Sequence, residues 1–288
     1  MYNIHTVKQR ISPYFLNLSA FFFSTAFGIV FGAGLITPEN FAHLSPLKVR
    51  ETGPIAGPVK PPRVGPLRIP IAIYHSVRPH IKGESAYQEM YDVTPELLAE
   101  QVEYLREKGF TNVTFAEVAD YFDHGTPLPS KPVILSFDDS WRNQYRYALP
   151  VLKKAHATST FYVFTNSIDN GNHLSLEEIK EIKNAGMEIG SHTKLHPYLN
   201  EIASAAILAD EIDGSKKILE KKLGSTITTF AYPFGEHASS SIDEVERSGY
   251  KTARSICKDQ QQDRTRRFTM CGFIVSDDIE DFKKSVGE

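Results

Sequence analysis

The stretch VILSFDDS, residues 133–140, joins an apolar strand to two adjacent carboxylates. A short continuous apolar run such as VIL favours a strand that is buried on both faces. The run ends at Asp138 and Asp139, whose like charges repel each other and are costly to remove from water. The nearest basic residue along the chain is Arg142. The pair therefore needs compensation from another part of the fold.

The composition is that of a globular protein with a weak net charge. The chain has 288 residues, of which 41% are hydrophobic and 23% charged, and its formal net charge is -3. This balance argues against a nucleic-acid partner held through its phosphates and favours a neutral or weakly charged substrate. The two cysteines, Cys257 and Cys271, are too few for a disulfide framework or a structural zinc site. In an exported domain they could form one accessory pair.

The N-terminal region contains a long uncharged segment. Residues 15–36 lack charged side chains and follow Lys8 and Arg10, and about 20 apolar residues suffice to cross a bilayer as a helix. The basic flank predicts that residues 1–14 are cytoplasmic and that the remainder is exported. A cleaved signal segment, with the small residues 32–34 at its end, and a buried core helix are the alternatives. We expect an extracytoplasmic domain, either anchored to the membrane or secreted.

Residues 37–68 are rich in proline and glycine and predict an extended linker. The remaining residues, 69–288, form the predicted folded domain, in which strand-like and helix-like segments alternate. The predicted strands are 69–75, 133–139, 159–164, 187–192, 226–233, 250–256 and 268–275. The predicted helices begin at Pro95, with Thr94 as N-cap, and lie near 143–155, 175–186, 203–223, 240–248 and 277–286. This alternation indicates a parallel sheet, either a barrel or an open doubly wound sheet, with functional groups at the carboxyl ends of its strands.

Polar residues follow four of the predicted strands. These pairs are Tyr74-His75, Asp138-Asp139, Ser191-His192 and Tyr232-Pro233. Taken alone, a strand ending in two aspartates is often a solvated turn, and a histidine after a buried strand is often a core residue. Their occurrence at four strand ends of one alternating pattern predicts one shared site.

The segment GSHTKLHP, residues 190–197, supplies two histidines four residues apart, His192 and His196. Two histidines and one carboxylate can hold a divalent ion and leave positions open for water and substrate. One of the two aspartates would then bind the ion, and the other would act as a base for hydrolysis. Non-haem iron oxygenases use the same ligand set, but they have no evident need for the second aspartate. A hydrolase is the better interpretation.

Three motifs of this chain resemble those of polysaccharide deacetylases with a NodB homology domain (carbohydrate esterase family 4). The segments SFDDS (136–140), SHTKLHP (191–197) and FAYPFG (230–235) are similar to the motifs TFDDG, H-S/T-x-x-H-P and R-x-P-Y of that family. The resemblance covers roughly residues 69–286. It implies an α/β fold, a deformed (β/α) barrel of about seven parallel strands.

The resemblance also implies roles for individual residues. Asp138 would be the general base, and a divalent metal, most often Zn²⁺, would be held by Asp139, His192 and His196. A backbone N–H at Tyr232 would stabilise the oxyanion. Three further residues would shape the sugar groove, namely Trp141, Pro233 and Phe234.

This chain departs from the family pattern at several places. Ser140 replaces a glycine, Ala231 replaces an arginine, and no arginine occurs in residues 270–275, where one commonly supports the base. Arg142 is a candidate to orient Asp138 instead. No C-terminal L-x-H motif is present, so the acid that protonates the leaving amine must come from elsewhere.

The segment IYHSV, residues 73–77, offers that acid. It resembles the first-strand segment of the extracytoplasmic poly-N-acetylglucosamine deacetylases, a branch that also lacks the C-terminal motif. By this likeness His75 would be the general acid, the alternative being a core histidine.

These observations lead to one expected function and two alternatives. We expect a metal-dependent hydrolase that removes N-acetyl groups from an extracytoplasmic poly-N-acetylglucosamine. Polysaccharide synthesis or export machinery and the membrane would be its partners. The alternatives are a peptidoglycan or chitin-type deacetylase and, from another class, a carbohydrate-binding protein on a decayed catalytic scaffold.

Overall fold

Seven parallel strands close into a barrel in the computed structural model, which describes residues 65–83 and 91–287. The strands are β1 (Ile71–Tyr74), β2 (Pro132–Phe137), β3 (Thr160–Val163), β4 (Glu188–Ser191), β5 (Thr229–Ala231), β6 (Thr252–Ile256) and β7 (Met270–Ile274). Each strand pairs with its neighbours in chain order, and β7 pairs with β1 through Phe273 and Ala72. The predicted (β/α) barrel is thus confirmed, and the open sheet is excluded because the first and last strands are hydrogen-bonded.

Helices follow most of the strands, as the sequence predicts. They are α1 (Pro95–Glu107), α2 (Phe115–His124), α3 (Leu149–Ala155), α4 (Leu176–Asn184), α5 (Ala205–Ala209), α6 (Ser215–Leu223), α7 (Ser239–Arg247) and α8 (Ile279–Val286). The predicted N-cap of α1 is present, since the Thr94 hydroxyl accepts a hydrogen bond from the N–H of Leu97 at 3.2 Å. Two segments have π-helical geometry, Gln144–Ala148 before α3 and Asp210–Gly214 between α5 and α6.

Sequence analysis did not predict helix α2, which packs against the interior of the barrel. Its side chains Phe115, Val118 and Phe122 share one apolar cluster with Ile71 and Ile134 of the barrel strands. The start of α2 carried a signal, because Thr114 and Glu117 form a capping box.

Short strands lie beside the barrel in the described residues. They are Leu67–Arg68 paired with Gln261–Gln262, Ser76–Val77 paired with Asp92–Val93, and Thr111–Asn112 beside β2. The last residues of the predicted linker therefore take part in the fold. The predicted membrane or signal segment, residues 15–36, lies outside the described residues. Among the helices of residues 65–83 and 91–287, none is long and apolar enough to span a bilayer.

A disulfide joins the last two strands of the barrel. Cys257, directly after β6, is bonded to Cys271 on β7, with an S–S distance of 1.99 Å and Cα atoms 5.2 Å apart. The sequence alone left this pairing open.

The barrel interior is filled by large side chains that depend on glycines in neighbouring strands. Tyr162 is fully buried, and its hydroxyl is hydrogen-bonded to that of Thr229 at 2.7 Å. A Cβ atom at Gly190 would lie only 2.4 Å from Cε1 of Tyr162 and 2.9 Å from Cγ2 of Thr229. Residue 190 must therefore be glycine for Tyr162 to occupy its place.

We expect Gly190→Ala to lower the free energy of unfolding by about 1–3 kcal/mol, because the added methyl group overpacks a rigid interior. Gly65→Ala is the control, since no atom lies within 4 Å of a Cβ built there. Urea denaturation monitored by fluorescence measures both variants. Equal stability of the two variants would contradict the close packing of Tyr162 against Gly190 of β4.

Candidate active site

Two loops at the carboxyl ends of the strands bring three potential metal ligands together. Asp139 follows β2, and His192 and His196 lie in the loop after β4. Oδ1 of Asp139 is 3.6 Å from Nε2 of His192 and 3.2 Å from Nε2 of His196. The two Nε2 atoms are 3.2 Å apart. The structure thus places the three predicted ligands in one cluster, with one ligand atom of each within 4.8 Å of the others.

This arrangement fits a divalent cation. Nδ1 of His192 donates a hydrogen bond to the carbonyl of Ala231 at 2.7 Å, so Nε2 is the ring nitrogen left to face the cluster as a potential ligand. Nitrogen and oxygen ligands around a tetrahedral zinc ion lie about 3.3 Å apart, given bonds of about 2.0–2.1 Å. The observed separations of 3.2–3.6 Å agree with that spacing.

Asp139 is adapted to remain charged. Burial by itself would raise the pKa of Asp139, but the adjacent rings of His192 and His196 hold this pKa well below its usual range. The side chains of Asp139 and His196 are 22% and 21% exposed, whereas that of His192 is 2% exposed. The cluster is therefore open to solvent on the side of Asp139 and His196.

Asp138 has a different partner, the buried arginine Arg254 of β6. Nη2 of Arg254 donates to both carboxylate oxygens of Asp138, at 2.5 and 2.6 Å. Arg142, the partner considered from the sequence, instead donates from Nε to Glu178 at 3.1 Å. That hypothesis was wrong because Arg142 lies on the rim of the cleft, whereas the Asp138 side chain is 3% exposed.

Arg254 is the functional residue that the sequence reasoning missed. It lies fully buried inside the barrel, with its guanidinium carbon 5.2 Å from the centre of the Tyr162 ring. Gly272 on the neighbouring strand provides room, since a Cβ there would be 3.1 Å from Cδ of Arg254. The available signal was a single arginine within the strand pattern YKTARSI, residues 250–256. A lone arginine at a buried strand position indicates a buried carboxylate opposite it.

His75 lies at the end of β1 and lines the same cleft. Burial lowers its pKa, and the neighbouring carboxylates of Asp138 and Asp139 oppose this shift without offsetting it. Within the described residues Nδ1 of His75 has no hydrogen-bond partner. The Gln144 amide donates to the carbonyls of His75 and Asp138, at 2.6 and 2.5 Å, and thereby links the ends of β1 and β2.

The turn after β5 contains the predicted oxyanion residue Tyr232, but its N–H is already used. The N–H of Tyr232 donates to the carbonyl of Arg254 at 3.0 Å within the sheet. The assignment of the oxyanion donor to Tyr232 is therefore corrected, because a committed ladder hydrogen bond is costly to break. Pro233 is buried, and Phe234 lines the cleft with 45% of its surface exposed. The Phe234 ring stacks on that of Tyr198, with the ring centres 3.9 Å apart.

Trp141 lies on the wall of a cleft of about 1090 Å³ that contains the whole cluster. Its ring stacks on His173 at 4.5 Å between ring centres. Aromatic faces thus line the cleft at two places, at Trp141 and at the stacked pair of Tyr198 and Phe234. Such faces suit the apolar side of a sugar ring.

Backbone strain is concentrated in the three loops of the site. Seven non-glycine residues of the described chain have positive φ, and five of them belong to these loops: Asp139, Ser140, Thr193, His196 and Phe234. At Ser140, where the sequence departs from the family glycine, φ is 59° and the hydroxyl accepts from the N–H of Phe164 at 3.3 Å. Residues persist in this region only when their surroundings fix them, which is typical of functional sites.

Comparisons with known proteins agree with this geometry. Residues 125–253 match the family described as polysaccharide deacetylase. The protein YxkH of Bacillus subtilis (strain 168) is 28% identical over 186 residues, covering 65% of this chain and 63% of that protein. The poly-beta-1,6-N-acetyl-D-glucosamine N-deacetylase of Staphylococcus aureus (strain MSSA476) is 25% identical over 201 residues, covering 65% of this chain and 69% of the relative.

A solved structure supports the same assignment. The Streptococcus pyogenes deacetylase PplD, in complex with acetate, superposes with a TM-score of 0.72 at 26% identity, covering 78% of this chain and all of that one. The family match and this structural neighbour both indicate a deacetylase enzyme. Residues 125–253 of this chain are therefore assigned to a polysaccharide deacetylase domain.

Proposed function

We propose that this protein is a metal-dependent N-deacetylase that acts on N-acetylglucosamine units of an extracytoplasmic polysaccharide of the poly-N-acetylglucosamine type. The proposal rests above all on the cluster of Asp139, His192 and His196 beside Asp138 in one open cleft. A binding protein on a decayed scaffold would have no need for this strained set of groups. The staphylococcal relative, whose name specifies poly-beta-1,6-N-acetyl-D-glucosamine, supports the choice of polymer.

The reaction is the hydrolysis of an acetamide. Water adds to the carbonyl carbon, the bond between that carbon and nitrogen breaks, and acetate and a protonated sugar amine are released. Asp139, His192 and His196 would hold a divalent cation, which would supply Lewis acidity for this hydrolysis. The remaining requirements are a base for the attacking water and an acid for the leaving amine.

Asp138 is placed to act as the base. Its carboxylate lies beside the cluster and is held in orientation by Nη2 of Arg254 at 2.5 and 2.6 Å. A carboxylate with a fixed orientation accepts the proton of the attacking water without reorganisation. Arg254 thus acts as a positioning residue for Asp138.

His75 gives a proton to the leaving nitrogen. Burial lowers its pKa, so the protonated ring is a stronger acid than an ordinary histidine, although a smaller fraction is protonated at neutral pH. Deprotonation of His75 therefore lowers the rate of amide hydrolysis as the pH rises. The amide of Gln144 keeps His75 and Asp138 at a fixed separation through their carbonyl groups.

The N–H of Phe234 is the candidate donor to the oxyanion. In the turn after β5, Pro233 has no N–H, and the N–H groups of Tyr232, Gly235 and Glu236 donate to backbone carbonyls. Elimination leaves Phe234, which lines the cleft next to His196, with 4.7 Å between the ring centres. Sugar rings would pack on Phe234 and Trp141.

Two observations support an extracytoplasmic location. The uncharged segment at residues 15–36 has the length of a membrane anchor or export signal. The disulfide between Cys257 and Cys271 suits an oxidising compartment.

We expect the purified protein to release acetate from poly-β-1,6-N-acetylglucosamine and to lose this activity on chelation, because Lewis acidity is removed. The measurement is enzymatic quantification of acetate with a panel of N-acetylglucosamine polymers. Readdition of Zn²⁺ should restore the activity. Release only from peptidoglycan or chitin would change the assigned polymer, and no release from any polymer with metal present would refute the proposed function.

The roles of Asp138 and His75 can be separated with two substrates. We expect His75→Gln to lower amide hydrolysis by about 10²–10⁴-fold, yet to retain hydrolysis of an activated aryl acetate, whose leaving group departs as a stable anion. Asp138→Asn should lose both activities while it still binds Zn²⁺. Loss of both activities in His75→Gln would exclude His75 as the acid. Loss of Zn²⁺ binding in Asp138→Asn would show that Asp138 is the metal ligand and Asp139 the base.

We expect Arg254→Met to lower the free energy of unfolding of the metal-free protein by about 3–5 kcal/mol, because the Asp138 carboxylate is left buried without its cation. The double variant Asp138→Asn/Arg254→Met should regain part of this loss. Urea denaturation in the presence of chelator measures all variants. Arg266→Met, at a 46% exposed ion pair, is the control and should change stability little. If the losses in free energy of unfolding caused by the two single substitutions simply add in the double variant, Asp138 and Arg254 do not stabilise each other as a buried ion pair.

A further inference from the structure

Three successive backbone N–H groups, those of residues 194–196 in the loop that carries the two histidine ligands, have acceptors. The N–H groups of Lys194 and Leu195 donate to one carboxylate oxygen, Oε2 of Glu211, at 2.9 and 2.8 Å. The N–H of His196 donates to the hydroxyl of Thr193 at 2.9 Å. Glu211 therefore holds the middle of this loop from outside the loop.

Backbone strain in this loop explains why the contact with Glu211 is needed. Thr193 and His196 have φ values of 71° and 62°, a region that is unfavourable for both residues and most of all for a β-branched threonine. Without external contacts the loop would relax toward ordinary backbone angles and move the His196 ring. Two hydrogen bonds from successive N–H groups to one buried acceptor oxygen oppose that relaxation, because both would have to break for the loop to move.

Glu211 reaches the loop from a rare type of segment. It is 3% exposed and belongs to the π-helical segment Asp210–Gly214, which interrupts an otherwise α-helical run from α5 to α6. π-helical turns account for well under 1% of residues and occur frequently at functional sites. The other π-helical segment of the described chain carries Gln144, whose amide links the carbonyls of His75 and Asp138. Each π-helical segment thus directs one buried side chain to the backbone of a loop of the site.

We propose that Glu211 is a positioning residue of the metal centre: by accepting from the N–H groups of Lys194 and Leu195, it keeps His196 at ligand distance from Asp139. The proposal rests on the metal centre of the proposed function. The essential property is the reach of the acceptor oxygen and not the negative charge of Glu211. Two conservative substitutions separate these properties, since Glu211→Gln keeps the reach and removes the charge, whereas Glu211→Asp keeps the charge and shortens the reach.

The test is the Zn²⁺ affinity of the metal-free full-length protein, measured by competition with a chromogenic chelator in the absence of substrate. We expect Glu211→Asp to bind Zn²⁺ about 10–100-fold more weakly than the parent protein, as is usual when an outer partner of a ligand is lost. Glu211→Gln should retain most of the affinity. Urea denaturation of the metal-free variants establishes that both fold.

Asp210 provides a matched control on the same segment. Its carboxylate is 58% exposed and contacts the side chain of Lys194, Nζ to Oδ2 at 2.6 Å, but not the loop backbone. Asp210→Ala should therefore leave the Zn²⁺ affinity unchanged, although it removes a nearby negative charge.

Two results would overturn the proposal. One is unchanged affinity in Glu211→Asp, and the other is weak binding in Glu211→Gln together with tight binding in Glu211→Asp, which would show that charge is the essential property. A parent protein that binds no Zn²⁺ would overturn the metal centre and this proposal together. Failure of acetate release with Zn²⁺ binding intact would refute the proposed function alone, because this measurement uses no polysaccharide.

Discussion

Three potential ligand atoms facing one another are the constraint on which the rest of this site depends. Oδ1 of Asp139 and Nε2 of His192 and His196 lie 3.2–3.6 Å apart, with the His192 ring oriented by its hydrogen bond to Ala231. Lone pairs at this distance repel unless a proton or a metal ion lies between them. The protein has to hold these groups in place before a cation binds, and the strained backbone of the surrounding loops is a consequence of that requirement.

Two adjacent aspartates with different partners divide the chemistry of the site. Asp138 borders the cleft and pairs with Arg254 in the barrel interior, whereas Asp139 faces the two histidines. Asp139 has a positive φ, and this change in backbone direction points the side chains of Asp138 and Asp139 to different partners. The like charges that looked costly in the sequence are each stabilised separately, one by a guanidinium and one by the histidine cluster. The same division would keep the proposed base, Asp138, next to the proposed metal ligands without making it a ligand.

Interactions with backbone groups hold this arrangement together. Gln144 links the carbonyls of His75 and Asp138, and Glu211 accepts from the N–H groups of the histidine loop. Both side chains are buried and come from π-helical segments outside the barrel. Neither belongs to a recognisable motif, because an amide or a carboxylate that binds a backbone imposes no spacing on the residues around it.

Local sequence patterns were enough to predict the alternation of strands and helices and the strand ends that carry Asp138, Asp139, His192 and His196, and three motifs indicated the family. These features depend on local periodicity and on motifs within a few residues, which are visible in one dimension. Strand alternation left closure of the sheet open, and only the family resemblance predicted a barrel. Tertiary contacts were needed to show that Arg254 and not Arg142 faces Asp138, and that the N–H of Tyr232 is committed to the sheet. Each of these depends on contacts between strands far apart in sequence, such as the 116 residues that separate Asp138 from Arg254. Local sequence patterns do not predict such contacts, because closure of the barrel determines which side chains meet in its interior.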